Sequence, residues 1–252
     1  GPNGRLRHFD EGLGLYKTSW ICQGAHRAGR FDVSVPVMDF IETLQAPCGG
    51  FYQSPELRDY VEPVCSAWAG VAAIFLGRMQ TALRAARYIG ELVRQQPDPL
   101  RFYFHTTPEG TLLTGKAAPF VDATQPQQAY YCPGIAALFA VRLHLATGDA
   151  EHLRLATELF EFSLRCASDA YSYPTAGKSA VAAALIHMVA GDQRALEAAL
   201  CMGDYLVREQ SPGGWWRNPH ADNQIIRLDH TAEFIIWLTE IVGALGATST
   251  AR

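Results

Sequence analysis

Three stretches of this chain are written to one grammar, and that repeat limits the fold more than any other feature. GVAAIFLGRMQTALRAARYIGELVRQQ, FAVRLHLATGDAEHLRLATELFEFSLRCA and AAALIHMVAGDQRALEAALCMGDYLVREQ each run a small-residue apolar helix into a Gly-Arg or Gly-Asp turn, then into an amphipathic helix with spaced alanines. The turns are Gly77-Arg78, Gly148-Asp149 and Gly191-Asp192. Glycine ends the first helix because it accepts a left-handed conformation, and Asp149 and Asp192 can cap the second through their carboxylates. So short a connection forces the two helices to lie antiparallel, side by side.

Apolar residues recur at three- and four-residue spacing over Tyr60–Leu76, Met79–Gln96, Gln127–Thr147, Ala150–Ala167, Thr175–Ala190, Gln193–Gln210 and Asp229–Leu245, with two further helices near Tyr16–Ala28 and Val35–Leu44. The first helix of a pair is apolar nearly all round and should be buried; the second carries a polar stripe and should face water. An inner ring of apolar helices inside an outer ring of amphipathic ones is an all-α α/α toroid. About four to five hairpins can be counted, fewer than the six of a complete barrel. No linker rich in Pro, Gly and Ser interrupts the chain, so residues 1–252 read as one domain, with 1–14 irregular. Arg101–Thr106 and Thr111–Thr114, around Pro108-Glu109-Gly110, read as a short strand–turn–strand excursion.

Hydrophobic content of 48% with 18% charged residues suits a soluble globular protein. A net charge of −4 without a basic cluster argues against a nucleic-acid partner, and no apolar run is long enough to span a bilayer. The opening GPNGRLRHFDEG is too polar for a signal peptide, and six cysteines without a CxxC pair read as scattered core thiols; a cytoplasmic location is the default. The sequence has no HxxxH or HExxH, no P-loop and no GxSxG, so no metal, nucleotide or other cofactor is expected.

The ends of the outer-type helices carry a recurrent signature. Gln210-Ser-Pro-Gly-Gly214-Trp-Trp216 fits Q-x-x-x-G-x-W, and Gln45-Ala-Pro-Cys-Gly49-Gly-Phe51 fits Q-x-x-x-G-x-F; Gln96 to Phe102 keeps the glutamine and the aromatic but has Leu100 at the glycine position. This resembles the QW motif of the terpenoid cyclase and protein prenyltransferase superfamily, in which the glutamine ties a helix end to the next turn and the aromatic packs on it. The resemblance implies a toroid whose central cavity is lined by the starts of the inner helices. It does not carry a reaction, because the D-x-D-D and D-D-x-x-D motifs and the prenyltransferase zinc constellation are missing.

By that placement, the first turns of the inner helices bring Trp20, Glu62, Gln128, Tyr131, Lys178, Asp229, His230 and Glu233 to the cavity mouth, and the preceding loops add Tyr52, His105, Asp122, Trp215 and Trp216. Asp229 and Glu233 share a helix face, and Glu233 comes three residues after His230, a cluster suited to moving protons. The structural alternative is that Asp229 caps the helix and Glu233 serves its dipole. Lys178, set among core residues, must reach the mouth or pair with an acid such as Glu62, Asp122 or Asp229. The aromatic residues could line a pocket, although at this density many should be core. The leading expectation is a metal-independent cyclase or isomerase for an apolar small molecule, terpenoid or polyketide-like. His230, Glu233 and Asp229 would handle protons, and Trp216, Tyr131 and Trp20 would shape the substrate. The alternatives are a sugar epimerase, hydrolase or lyase on an α/α barrel, and a toroid that only binds a ligand.

Overall fold

The computed structural model describes residues 14–217 and 223–249. The expectation that 1–14 is irregular lies outside these residues but for Gly14. Helical hairpins succeed one another: α1 (Gly14–Arg27) with α2 (Phe31–Glu42), α3 (Pro63–Phe75) with α4 (Met79–Arg94), α5 (Tyr131–Thr147) with α6 (Ala150–Arg165), and α7 (Gly177–Ala190) with α8 (Gln193–Glu209). A ninth helix, α9 (Gln224–Ser249), closes the series. The odd-numbered helices pack in succession, α1 on α3, α3 on α5, α5 on α7 and α7 on α9, while each even-numbered helix covers its predecessor. Side chains of α1 and α9 then meet, Tyr16 with Glu233, Trp20 with Trp237 and Arg27 with Glu240, so the inner helices form an α/α toroid and enter it from the same end.

The hairpin turns obey the local chemistry read from the sequence. Gly77, Gly148 and Gly191 have φ near +70°, where a side chain would be strained. The Asp149 carboxylate accepts from the Glu151 N–H and that of Asp192 from the Arg194 N–H, both at 2.9 Å. Burial matches the two helix types: α5 and α7 are enclosed over most of their length, whereas α4, α6 and α8 bury one stripe.

The glutamine turns tie three outer helices, α2, α4 and α8, to the chain segments after them. Gln45 Nε2 donates to the carbonyls of Gly49 (2.9 Å) and Thr81 (3.1 Å), over a fully buried Phe51. Gln210 Nε2 reaches the Gly214 carbonyl at 3.2 Å, and Gln96 exchanges two 2.8 Å bonds with the Tyr103 backbone.

Two expectations need correction. Strand β1 (Arg101–Tyr103) pairs antiparallel with β2 (Phe120–Asp122), not with residues 111–114. The nearer segment makes one bridge, Thr106 with Leu112, because Gln95 takes up its backbone at Gly110 and Leu112. Helix α9 begins five residues before Asp229, since Asn223 Oδ1 accepts from the Ile226 N–H at 3.0 Å and supplies the cap. All six cysteines are free: Cys22, Cys65 and Cys132 are buried as expected of core thiols, whereas Cys201 is exposed. No helix among the described residues is long and apolar enough to cross a membrane.

Candidate active site

The ring interior is layered along its axis. At the far end, Arg142 of α5 bonds Glu240 of α9 at 2.9 Å, with Arg27 of α1 at 3.6 Å from the same carboxylate. In the middle, Trp20, Trp68 and Trp237 come from three inner helices and pack with ring centroids 4.4 to 6.2 Å apart. Trp68 and Trp237 are each 1% exposed and plug the ring; Trp20 is half-buried. Above this plug, where the inner helices begin, the polar residues gather.

Lys178 and Glu233 form an ion pair there, and the Tyr16 hydroxyl donates to the same Glu233 oxygen at 3.4 Å. The Lys178 ammonium also lies 5.1 Å from the Trp237 ring and 5.7 Å from the Tyr16 ring, within reach of their π-faces. Glycines make this convergence possible. A Cβ on Gly134 would collide with Ser179, and one on Gly177 would stand 2.5 Å from Trp237, so α5, α7 and α9 approach more closely than larger residues allow. Burial by itself would push the Lys178 ammonium down, but Glu233 and Tyr16 overturn that and hold it above its ordinary value. For Glu233, burial acts upward, and Lys178 outweighs it and leaves the carboxyl below the usual range.

Glu62 is the opposite case. It is the residue before α3, whose first position is Pro63; proline has no N–H to cap, and the Glu62 carboxyl makes no cap bond. Instead it is buried, 4% exposed, with Gln53 and Cys65 acting to lower its pKa and Oε1 without a partner. Desolvation raises its pKa above the ordinary carboxylate value. Tyr131, half-buried at the start of α5, feels both Glu62 and Lys178, and burial pushes its hydroxyl up to about 12. His230 is half-buried against Phe234 (centroids 5.2 Å), and desolvation, opposed by Glu233 and Asp229, holds its pKa down, so the ring is neutral near pH 7. Among the described residues, no group of three His, Cys, Asp or Glu side chains is placed to hold a metal ion.

Of the sequence candidates, Glu62, Tyr131, Lys178, Glu233 and Trp20 belong to this end of the ring, with His230 one turn before Glu233. Several others do not. Asp229 is exposed and in the second turn of α9, so it neither caps the helix nor joins the cluster; the residue paired with Lys178 is Glu233 rather than Glu62, Asp122 or Asp229. Trp216 is a core residue, 2% exposed, its Nε1 donating to the Leu206 carbonyl at 2.7 Å. Trp215 lies on the outer groove between α8 and α9, with Arg227 and Arg217 at 4.7 and 5.4 Å from its ring. Asp122 and Gln128 shape a loop: Asp122 accepts from Thr124, and Gln128 accepts from the Asp122 N–H. Tyr52 is buried beneath Arg58. His105 stacks on Tyr60 at 4.0 Å, and Val61–Thr106 backbone bonds join their segments, which places it beside Glu62. Tyr16 was not among the candidates, because it opens a weakly periodic helix; its position one turn before Trp20 was the signal available.

No protein-family model and no curated protein sequence matches the chain. Solved structures do match in fold. A D-mannose isomerase superposes with a TM-score of 0.67 at 12% identity, over 92% of this chain and 72% of its own. A GH76 α-mannanase from Bacteroides thetaiotaomicron gives 0.62 at 13% identity, over 94% and 70%. An unsaturated glucuronyl hydrolase specific for heparin gives 0.58 at 10% identity, over 94% and 78%. These likenesses establish the α/α-toroid fold.

Proposed function

We propose that this protein is an enzyme that acts on a sugar by acid–base catalysis at the end of the ring where the inner helices begin, moving a proton as an isomerase or epimerase does. The observation that carries this reading is a pair of carboxyl groups pushed in opposite directions. Burial raises the pKa of Glu62, and Lys178 lowers that of Glu233. Glu62, pushed toward its protonated form, is placed as the acid; Glu233 is taken up in holding Lys178 as a cation, and the proton-accepting role falls to His230, whose pKa is held down by burial.

The chemistry rests on those states. Neutral His230 removes the proton from the carbon next to an open-chain sugar carbonyl, and the electron pair moves toward the carbonyl oxygen. Lys178, held cationic, steadies the negative charge that develops on that oxygen. Glu62 gives its proton to the oxygen, which yields a neutral enediol; His230 then returns its proton to the former carbonyl carbon while the ionised Glu62 takes the proton of the neighbouring hydroxyl, whose oxygen becomes the new carbonyl. Trp20, Tyr16 and Tyr131 are half-buried and offer aromatic faces for the ring or chain of the sugar. The names of the structural neighbours, an isomerase, a mannanase and a glucuronyl hydrolase, support the substrate class. A cyclase for an apolar substrate is supported less well, because Trp68 and Trp237 spend their surfaces on one another and on Trp20.

The test is proton NMR of the protein with single neutral monosaccharides, D-mannose first, in D2O. New sugar signals with deuterium at the carbon next to the carbonyl are expected. Reducing ends released from mannooligosaccharides, without isotope exchange, would replace isomerisation by hydrolysis. Neither product from any sugar would defeat the reading.

A further inference from the structure

The ring closes where α1 meets α9, two inner helices remote in sequence. Tyr16 and Glu233, at the mouth end of this junction, stand 217 residues apart; below them Trp20 meets Trp237 and Arg27 meets Glu240. Of the α1 residues here, Tyr16 is the one whose polar atom joins the Lys178–Glu233 pair. Its hydroxyl donates to Glu233 Oε1 at 3.4 Å, the same oxygen that Lys178 holds, and its ring lies 5.7 Å from the ammonium. The ring itself is well supported. It stands edge-on to Trp20 (6.4 Å) and tilted against Trp68 (6.1 Å), and the preceding Leu15, fully buried, donates its N–H to the Gln53 carbonyl at 2.9 Å. Burial raises the Tyr16 hydroxyl above its ordinary value, so it stays a donor through neutral pH.

We propose that Tyr16 is a positioning residue: by donating to Glu233 from across the α1–α9 junction, its hydroxyl fixes the carboxylate that aims the Lys178 ammonium at the substrate oxygen. The reaction in this inference rests on the sugar isomerase reading; the contact does not. A lysine head is a compact cation on a flexible stem, and it takes the direction its partners give it. A carboxylate held by the ammonium alone could turn and follow it. One that also accepts from a rigidly packed hydroxyl cannot turn without losing that bond, so the lysine of α7 is held in place by α9 and α1 together. His230, on α9 itself, is the remaining titratable group that acts on Glu233. Tyr16 works through Glu233 and Lys178, and its hydroxyl needs no contact with the sugar.

Tyr16→Phe removes the hydroxyl and keeps the ring packing. On the sugar that the parent isomerises, kcat should fall about tenfold, as for loss of one hydrogen bond to a charged group, with KM within about twofold. Independently of turnover, carbon-13 NMR of protein labelled at the glutamate carboxyl carbons reads the titration midpoint of Glu233, assigned by the signal lost in Glu233→Gln. In Tyr16→Phe that midpoint should move up, because the ionised carboxylate has lost a donor. An unchanged kcat, or an effect confined to KM, would overturn the proposal, as would an unmoved Glu233 midpoint. If the parent turns over no sugar, the isomerase reading fails by itself, and the Glu233 midpoint still decides whether Tyr16 sets the pair.

Discussion

Replacing Glu233 by glutamine keeps the shape of the side chain and its contact with Tyr16, but leaves the Lys178 ammonium without its carboxylate. The Lys178 side chain is 10% exposed and that of Glu233 22%, so the lysine cannot recover full hydration by a small movement. Removing one partner of a buried ion pair costs about 3–5 kcal/mol, and the partial exposure of Glu233 favours the lower end, about 3 kcal/mol. This is roughly a 150-fold change in the folding equilibrium, and for a chain of this size roughly 6–12 °C in Tm. Removing both charges, as Lys178→Met with Glu233→Met, should return to within about 1 kcal/mol of the parent, because neither ion is then buried. Urea unfolding of the parent, both single variants and the double variant gives the coupling between the two sites. The pair also predicts a pH window. Glu233 is held below the ordinary carboxylate range, so its contribution is present above that range and is lost as pH falls through the lowered value. Lys178 is held above the ordinary lysine value, so its contribution is present below that value and disappears as pH rises through the raised one. If Glu233→Gln is within about 0.5 kcal/mol of the parent at pH 7, or the double variant is as unstable as the sum of the singles, the pair is not holding this end of the ring together.

Glu62→Gln should leave stability nearly unchanged, since glutamine mimics the protonated acid that burial already favours; turnover on the substrate found by NMR should fall about 10²–10⁴-fold. In the parent, the rate should decline as pH rises through the raised Glu62 value and also as pH falls through the lowered His230 value, a bell whose acidic limb is altered in His230→Ala. Gly49→Ala should destabilise by more than about 1 kcal/mol in denaturant titration, because Gly49 has φ +98° and its Cβ would collide with the Arg84 carbonyl. Trp216→Ala should cost about 3–5 kcal/mol by the same measurement, with the KM of any activity little altered, as expected of a residue between α8 and α9 rather than in the ring.

The ring of hairpins was legible in the sequence because its determinants are local. Gly148-Asp149 and Gly191-Asp192 stop one helix and cap the next within a few residues, and the unequal polarity of the paired helices says which one faces inward. Glutamine turns such as Gln45–Phe51 were legible for the same reason: donor, acceptor and aromatic lie within one turn of chain. The rule that inner-helix starts share one end of the ring places Glu62, Tyr131 and Lys178, whereas Glu233, expected in a first turn, lies in the third turn of α9 and comes to the same end because that helix starts earlier. What tertiary structure decided was partnership and state. Lys178 could pair with several acids, and only the close approach of α7 and α9 at Gly177 selects Glu233. Glu62 and Glu233 are the same residue type at the same end of the ring, one just before α3 and the other in the third turn of α9. Burial without a cation raises one and a neighbouring ammonium lowers the other, a difference of environment supplied by residues distant in the chain. Trp216 and Trp237 also look alike as letters, yet one pins α8 to α9 and the other plugs the ring, because the side a helix turns to its neighbours depends on which neighbours the whole fold provides.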